Sequence, residues 1–548
     1  MKHAIQFSAA LALLLGIPAT AQNLNPVVEV TNIYEQAATG IEKPVQQMAV
    51  PDSLLKFNLD MDYEVRTTPY RGAYEFNPYL VQLRTAPRSY EEQTLLIRLG
   101  AGYGFHPELD AVWSPVKKDN FRLNLYGRHQ GYFGQYRNIS LDTEHYFRGD
   151  GTFYSGADAR TSVGVNGLYA WNEGMLTADV HYRNLFASDA FQEKAHHIAA
   201  LQARVQSAPQ TAFYYNVGLQ ARHLFREGFK ETYLLSDGGV GANLRRSQIR
   251  LDYQVEGVFT GEGRVGALSL IPRYVFQTGG FRLNLGLKAS FSFRSDDYFY
   301  PTRGNTLFPD VYVDYQVVPE SFVLQASVTG GNQLETYGSL LERNHFLPSF
   351  LRSALDFETE SVHVSAGVRG NVSERVHYNV NAGYSFRANA LEWGYAYDTS
   401  WSSSYPSAGR ANYGLFYADA KAGWSSERLD ADVHLRYQHS TLSSDYLFAP
   451  PALLAQFKFL YNWGGRIKAG VDLDAATERV LQLPESQSAA IPLHVPGYAD
   501  LGLYAEYGFT RRMAAWLRVG NLLNMEVQRT LFHAEKGIWF SVGAQYSF

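Results

Sequence analysis

Apolar and polar residues alternate along most of this chain. In residues 281–294 (FRLNLGLKASFSFR), every odd-numbered position is apolar and every even-numbered position is polar or glycine. The same period of two runs through 376–387 (VHYNVNAGYSFR), 429–438 (LDADVHLRYQ) and, apart from Trp539, the last residues, 538–548 (IWFSVGAQYSF). Because successive side chains of a strand point to opposite faces, each stretch predicts a β-strand with one apolar face and one polar face.

The length of these runs and the make-up of their polar faces favour a membrane protein. Each run has about the ten residues that a tilted strand needs to cross a bilayer. The polar faces mix Arg, Asp, Asn, Gln, Gly and Ser, and the apolar faces repeatedly end in Tyr, Phe or Trp. Polar residues toward a wet lumen and aromatic belts at the interfaces are typical of a transmembrane barrel; a soluble all-β assembly is the alternative. We predict an all-β fold, a transmembrane antiparallel β-barrel of about 18–22 strands.

The connections between the predicted strands differ in length. Short periplasmic turns are predicted at 371–375, 425–428, 463–465 and 510–512, and long extracellular loops at 134–158, 294–307, 331–358, 398–410, 439–452 and 475–497. The best candidate for a helix, residues 335–354, falls inside one of these loops. Between residues 360 and 425 the predicted strands do not keep a strict up-and-down order, so the strand assignment there is incomplete.

Composition supports the membrane interpretation and excludes some partners. Charged residues make up 18% of the 548 residues, below the roughly 25% of soluble domains, and aromatic residues reach 14%. The net charge of -5 argues against a nucleic-acid partner. The chain has no cysteine, so no disulfide stabilises it. After the N-terminus, no apolar run has the length of a membrane-spanning helix.

The N-terminus predicts export. Lys2 and His3 precede an apolar stretch, residues 9–15, and Ala19-Thr20-Ala21 forms a small-residue cleavage site. The sequence therefore predicts a signal peptide at 1–21, a periplasmic segment at 22–93 and the barrel at 94–548. We expect the protein in the outer membrane of a Gram-negative cell.

Motifs for catalysis or metal binding are weak. His196 and His197 are adjacent, so on a strand they face opposite sides and are poor partners for one metal ion. Asp430, Asp432 and His434 share a face, but no partnered serine is identifiable. We predict no enzymatic activity, no cofactor and no metal site.

The predicted lumen face carries charges of both signs. Its main candidate residues are Arg282, Lys288, Arg369, Asp430, Asp432 and Arg436. Mixed charges that line a pore can set its selectivity. Alternatively, they pair across strands and hold the wall together.

The C-terminal residues point to a family. Tyr498–Leu503 leads into Trp516-Leu517-Arg518-Val519-Gly520 and Asn521-Leu522-Leu523-Asn524, and Gly537-Ile538 opens the last strand. This pattern resembles the closing strands of TonB-dependent receptors over about the last fifty residues; upstream, only the strand pattern matches. The resemblance implies an outer-membrane barrel that takes up a nutrient.

The resemblance also exposes a departure from the family. TonB-dependent receptors have a plug of well over a hundred residues that fills the barrel, but residues 22–93 are too few for it. The resemblance is therefore compatible with two functions of the barrel, an energised receptor and a plug-less pore.

Two terminal segments carry expected interactions. Pro26, Val27, Val28, Glu29, Val30 and Thr31 resemble the short segment with which such receptors engage TonB, by adding a strand to a periplasmic sheet. The plainer reading is a short strand or an extended tail. Phe540, Tyr546 and the terminal Phe548 resemble the C-terminal signal that the barrel-assembly machinery recognises.

The sequence thus predicts an outer-membrane β-barrel receptor or transporter of TonB-dependent type, or a plug-less pore, for an unidentified solute. The alternative is a structural barrel that scaffolds an outer-membrane complex. The expected partners are outer-membrane lipid, the assembly machinery, TonB and a surface or periplasmic lipoprotein.

Overall fold

The computed structural model describes residues 94–548 with short internal gaps. The gaps are 190–192, 209–210, 262, 295–305, 320, 348–355, 399–402, 445 and 482–491. The chain divides into two units, residues 1–70 and 71–548. The predicted signal peptide, the predicted periplasmic segment and the TonB-box-like residues Pro26 to Thr31 lie outside the described residues.

Twenty-two antiparallel strands form one closed sheet. Each strand pairs with its neighbours in the chain, β19 pairs with β22, and β1 pairs with both β2 and β24, which closes the ring. The wall strands are β1 (Leu95–Gly102), β2 (Glu108–Lys117), β3 (Phe121–Leu141), β4 (Phe147–Trp171), β5 (Gly174–Ser188), β6 (Glu193–Ser207), β7 (Phe213–Arg226), β8 (Phe229–Asn243), β9 (Ser247–Thr260), β10 (Arg264–Thr278), β11 (Phe281–Arg294), β12 (Thr306–Val318), β13 (Phe322–Glu335), β14 (Asp356–Ser373), β15 (Val376–Asp398), β16 (Ser403–Ser425), β17 (Leu429–Ser440), β18 (Leu453–Trp463), β19 (Ile467–Ala476), β22 (Tyr498–Gly508), β23 (Met513–Gly520) and β24 (Trp539–Ser547). The predicted antiparallel barrel is confirmed, and its strand number lies at the top of the predicted range.

The two ends of the barrel differ in their connections. The backbone N–H groups of Thr94 and Leu95 donate to the Phe548 carbonyl oxygen at 2.5 and 2.9 Å, so β1 starts where β24 ends. We call this the turn end, since tight connections such as 374–375 lie there. At the opposite end, the loop end, the long connections 441–452, 477–497 and 521–538 emerge. A two-stranded sheet of β20 (Arg479–Val480) and β21 (His494–Val495) lies within the second of these.

The alternating pattern places apolar side chains on the outside of the ring. In β11, Leu285 and Leu287 are 44% and 48% exposed, whereas Ser290 on the opposite face is buried. Lipid offers no hydrogen bonds, so a sheet can cross it only when all its edges are paired, and the closed ring meets that requirement. The sequence pattern therefore follows directly from the two faces of the wall.

Two predicted loops are wrong. β3 continues to Leu141 and β4 starts at Phe147, so most of 134–158 is strand; likewise, β16 starts at Ser403 within the predicted loop 398–410. These strand ends extend past the length needed to cross a bilayer, and their Gly, Asn and Asp content is typical of loops. Between residues 360 and 425 the structure has three strands in strict up-and-down order, β14, β15 and β16. The register of β15 and β16 shifts between Arg387 and Ala390, where Asn389 has a φ of 57°. The shift moves the apolar pattern to the other parity.

One α-helix, α1 (Tyr337–Arg343), follows β13 inside the predicted helical candidate 335–354. Thr336 is its N-cap: its hydroxyl accepts from the Ser339 backbone N–H, and the Ser339 hydroxyl accepts from the Thr336 backbone N–H. This reciprocal pair defines where the helix begins. Nowhere in the described residues is a helix long and apolar enough to span a membrane.

Candidate functional site: the barrel lumen and its loop cap

Charged side chains on the inner face of the wall pair across neighbouring strands. The Arg273 guanidinium lies 3.0 Å from the Asp252 carboxylate through Nη1 and 2.6 Å from the Asp310 carboxylate through Nε, so it links β9, β10 and β12. Lys468 Nζ lies 2.7 Å from Glu506 Oε1 and links β19 to β22. Such pairs can stabilise the wall. This is the second of the two interpretations of the lumen charges, in which they pair across strands.

Three of the predicted lumen residues lie on β11 and β14. Arg282 lies across from Asp314 in the register of β11 and β12, and Arg369 Nη2 is 3.3 Å from the Asp314 carboxylate. Lys288 extends over β12 toward Gly331 of β13, where an added Cβ would lie 2.9 Å from Lys288 Nζ. Arg282 of β11 and Arg369 of β14 thus lie near one carboxylate of β12, Asp314.

The other three predicted lumen residues lie on β17. Asp430 accepts a hydrogen bond from the Ser425 hydroxyl at 2.6 Å, and Asp432 lies 3.8 Å from His377 Nε2. The Arg436 guanidinium carbon is 4.9 Å from the centre of the Tyr417 ring. The structure spreads the six predicted residues over β11, β14 and β17 and does not gather them into one site. A role of all six in selectivity stays a prediction.

The C-terminal aromatic residues lie on the outer face. Phe540, Tyr546 and Phe548 are all substantially exposed, with Phe548 at 57%. The Arg512 guanidinium carbon lies 5.4 Å from the centre of the Phe548 ring, and the Phe548 backbone N–H donates to the Leu95 carbonyl at 2.8 Å. The last residue therefore belongs to the seam that closes the ring, while its role as an assembly signal stays a prediction.

The adjacent histidines of β6 face opposite sides of the wall. His196 is buried on the inner face, and its Nε2 lies 3.1 Å from the Tyr337 hydroxyl of α1. His197 lies on the outer face, where its Nδ1 is 2.6 Å from the Tyr182 hydroxyl. Across the described residues, no group of three or more His, Asp or Glu side chains is placed to hold a metal ion.

Helix α1 packs between two nearly opposite walls of the ring. Its buried Leu340 and Leu341 belong to an apolar cluster with Leu185, Ile198 and Leu224 of β5 to β7. The same cluster includes Leu391 of β15, with Trp393 packed against it. β6 and β15 are nine strands apart in a ring of twenty-two, so the cluster spans the lumen at the loop end.

A second apolar cluster crosses the same opening. It joins Phe147 of β4 to Phe448 of connection 441–452, Leu481 and Val495 of 477–497, and Leu531 of 521–538. Trp393 and Tyr395 of β15 pack against it. Because Trp393 contacts both clusters, the loops and α1 form a continuous apolar layer across the loop end. We call the residues of these two clusters the loop cap.

Connection 521–538 is also tied to the wall by a buried cation. Lys536 Nζ lies 3.9 Å from the centre of the Trp539 ring, 5.0 Å from that of Tyr132 and 3.3 Å from His106 Nε2. Burial lowers the pKa of the Lys536 ammonium to about 7, and burial together with the positive charges of Lys536 and Arg518 lowers the pKa of His106 to about 3. A neutral His106 can accept the hydrogen bond from Lys536, which a protonated imidazole cannot do.

Little in the local sequence indicates which wall residues contact α1. Glu231 and Arg222 are inner-face residues of β8 and β7, but the short polar and apolar runs around them resemble many other wall strands. The one usable signal was the helical candidate 335–354, which marks the loop that enters the lumen. The residues that contact α1 come from distant strands and meet it only when the ring has closed. No local sequence pattern specifies such contacts.

Solved structures share this fold at low sequence identity. The FrpB iron transporter from Neisseria meningitidis, in its apoprotein form, aligns with a TM-score of 0.62 and 10% identity over 83% of this chain and 81% of that chain. The siderophore receptor PirA from Acinetobacter baumannii aligns with a TM-score of 0.58 and 10% identity, covering 83% and 80%. The copper transporter OprC aligns with a TM-score of 0.57 and 13% identity, covering 83% and 80%. No protein-family model and no curated protein matches the sequence.

The closed ring, the outward apolar band and these likenesses define the fold class: a transmembrane β-barrel of 22 antiparallel strands. More narrowly, its fold is that of the TonB-dependent receptors, in agreement with the resemblance of its C-terminal strands. The aligned proteins are named as transporters and receptors.

Proposed function

We propose that the protein is an outer-membrane receptor or transporter of TonB-dependent type that binds a solute at its loop end and passes it through the barrel. The observation that carries the proposal is the closed 22-strand ring with charged side chains on its inner face. A wall of this size encloses a wide lumen, and charges that line it attract or repel solutes. The solute class is not assigned.

In this proposal the loop end faces the cell exterior, and the outer apolar band lies in outer-membrane lipid. Long extracellular loops and short periplasmic turns are the usual arrangement in such barrels. The barrel-assembly machinery would then recognise the terminal strand with Phe540, Tyr546 and Phe548, whose side chains lie on the lipid-facing side.

Energy coupling would run through Pro26 to Thr31. A strand added to a periplasmic sheet of TonB needs free backbone N–H groups, so Val28→Pro removes a donor from the middle of the segment.

A binding measurement separates energised from passive transport. The purified protein, its Val28→Pro variant and a Val28→Ala control are tested for binding to the periplasmic domain of TonB. If the protein is an energised receptor, the parent and Val28→Ala chains should bind the TonB domain, and the Val28→Pro chain should not. A passive pore should show no binding in any of the three and should conduct ions as a single barrel in a planar bilayer.

A scaffolding barrel is the second candidate, and the loop cap favours it. Two apolar clusters cross the loop end, so a permanently closed cap would block passage. Such a barrel should show no ion conductance and no TonB binding, and it should copurify from cross-linked membranes with a lipoprotein in fixed ratio. Conductance or TonB binding of the purified chain would reject this candidate.

A further inference from the structure

We propose that residues 336–347 are a gate of the barrel lumen and that the Glu231 carboxylate is the latch that holds this gate shut. The gate comprises the N-cap Thr336, helix α1 and the residues up to Leu347. It extends the proposed function without depending on the solute, because it concerns how the loop end opens.

The position of the gate is the first argument. Its buried side chains Tyr337, Leu340 and Leu341 fill the space between β5–β8 and β15. No other helix is present among the described residues, so α1 is the element that joins the two walls at this level. Its removal would separate the apolar surfaces of the two walls and open the part of the loop end that the second cluster does not cover.

The latch is the second argument. Glu231 is fully buried on β8, and its two carboxylate oxygens accept hydrogen bonds from the backbone N–H groups of Tyr337 at 2.7 Å and Gly338 at 3.0 Å. These donors belong to the first turn of α1, which has no partners for them within the helix. One wall residue thus fixes both the position and the direction of the gate.

A second wall residue completes the latch. Arg222 Nη2 donates to the Thr336 hydroxyl at 2.5 Å and lies 3.6 Å from Glu231 Oε1. Removing the Glu231 charge would leave the buried Arg222 with only the more distant Glu342 carboxylate, 4.0 Å from its Nη1, which is costly in a low-dielectric site. At the other end of the gate, Lys194 Nζ donates to the Leu347 carbonyl at 3.1 Å. Glu342 of α1 also pairs with Arg183 of β5 at 3.0 Å, and His345 lies 3.8 Å from Asp158 of β4, so the polar contacts of the gate lie on β4 to β8.

The remaining contacts of the gate explain why it is closed at rest. The wall residues Ile198, Leu224 and Phe229 would face water if the gate left them, and that exposure is unfavourable. Apolar contacts keep the gate closed but do not fix its position. The hydrogen bonds to the Glu231 carboxylate hold the closed gate in one defined geometry. A change at the latch should therefore alter how often the gate opens while the wall stays folded.

The experiment uses the absence of cysteine from the chain. A single thiol is introduced by Leu341→Cys, at a position that is fully buried in the closed gate. The full-length protein in outer-membrane vesicles is exposed to a membrane-impermeant maleimide, and the labelling rate is measured. We expect slow labelling compared with Glu144→Cys, whose parent side chain is 73% exposed in connection 142–146.

Glu231→Gln in the Leu341→Cys chain then tests the latch. We expect labelling to accelerate roughly tenfold or more, because hydrogen bonds to a charged group contribute more than neutral ones. Glu506→Gln is the matched control: it makes the same change at a wall carboxylate that is bound to Lys468, away from α1. It should leave the labelling rate unchanged. Migration on gels before and after heating checks that every variant is folded.

Two results would overturn the proposal. One is labelling of Leu341→Cys in the parent chain as fast as that of Glu144→Cys, because the gate would then not be closed. The other is equal labelling of the folded Glu231→Gln and Glu506→Gln chains, because Glu231 would then not act as the latch.

Discussion

The rings of Phe346 and His533 stack with their centres 4.2 Å apart and their planes at 18°. Phe346 follows α1 in the connection between β13 and β14, whereas His533 lies in the connection between β23 and β24. His533 Nε2 is also 3.9 Å from the Asp189 carboxylate, and the neighbouring His345 lies 3.8 Å from Asp158. The loop cap is therefore held partly by contacts between connections that are far apart in the ring.

These contacts should make the cap sensitive to acid. Burial lowers the pKa of both His345 and His533 from 6.5 to about 4; the Arg160 charge lowers the pKa of His345 further, whereas Asp158 and Asp189 oppose the shifts. When the loops are detached, the imidazoles titrate near 6.5 and bind more protons than in the closed cap. Stability of the closed cap is thus fully present above pH 6.5 and is lost as the pH falls through about 4.

A spin label at Glu342→Cys on α1 measures this loss. Its mobility should rise reversibly between pH 6.5 and 4. The His345→Gln/His533→Gln double variant removes both titrating groups and should show a much smaller rise. An equal rise in the double variant would mean that other groups carry the pH dependence.

The two faces of the wall should respond differently to an added charge. Leu285→Arg places a guanidinium on the outer face, in hydrocarbon, and should cost about 2–4 kcal/mol near the bilayer midplane. Asn284→Arg, one residue earlier, points to the inner face and should cost far less. The free energy of unfolding in lipid vesicles measures both. Equal losses would contradict the assignment of faces.

The fold was predictable because its signal is local and repeated. Each wall strand carries the alternation itself, as 281–294 does, and closure follows from the lack of hydrogen-bond partners in lipid. The β15 bulge at Asn389 was not predictable, because one residue with a positive φ reverses the parity of the remaining residues of that strand. Strand ends beyond the bilayer were missed for a related reason: outside lipid, nothing requires their faces to differ.

The candidate site was less predictable than the wall. The charges of 282, 369 and 436 could be assigned to the polar face from parity alone, but their partners could not. Glu231 meets α1 more than a hundred positions later in the chain, and His533 meets Phe346 across the loop end. Such contacts require the closed ring, and no local pattern specifies them.

The terminal residue should matter through its backbone as well as its ring. Phe548 exchanges hydrogen bonds with Leu95, donating at 2.8 Å and accepting at 2.9 Å, and these bonds hold the start of β1. Deleting Phe548 should therefore lower the yield of folded barrel more than Phe548→Ala, which keeps the backbone. Heat-dependent gel migration of membrane fractions, normalised to total synthesis, measures the yield. If the deletion leaves a normal folded yield, Phe548 is needed neither for the pairing of β24 with β1 nor as an assembly signal.

The seam between β24 and β1 should tolerate no side chain at Gly543. Trp516 of β23 is almost fully buried, and its ring lies over Gly543 of β24 and Gly100 of β1. A Cβ atom at Gly543 would collide with this ring and with the Leu99 carbonyl oxygen of the neighbouring strand. Backbone cannot move aside without breaking the ladder, so Gly543→Ala should lower stability by roughly 1–3 kcal/mol, as overpacking does elsewhere.

Gly127→Ala is the matched control for the seam. A Cβ atom there would have its closest neighbour at 3.8 Å, Cγ1 of Val163, which is ordinary contact. The urea concentration at half-unfolding, followed by gel migration of purified barrels, compares the two variants with the parent. We expect a clear drop for Gly543→Ala and none for Gly127→Ala. Equal midpoints for all three would show that Trp516 can leave the seam without loss, and that closure rests on the main-chain ladder between β1 and β24 alone.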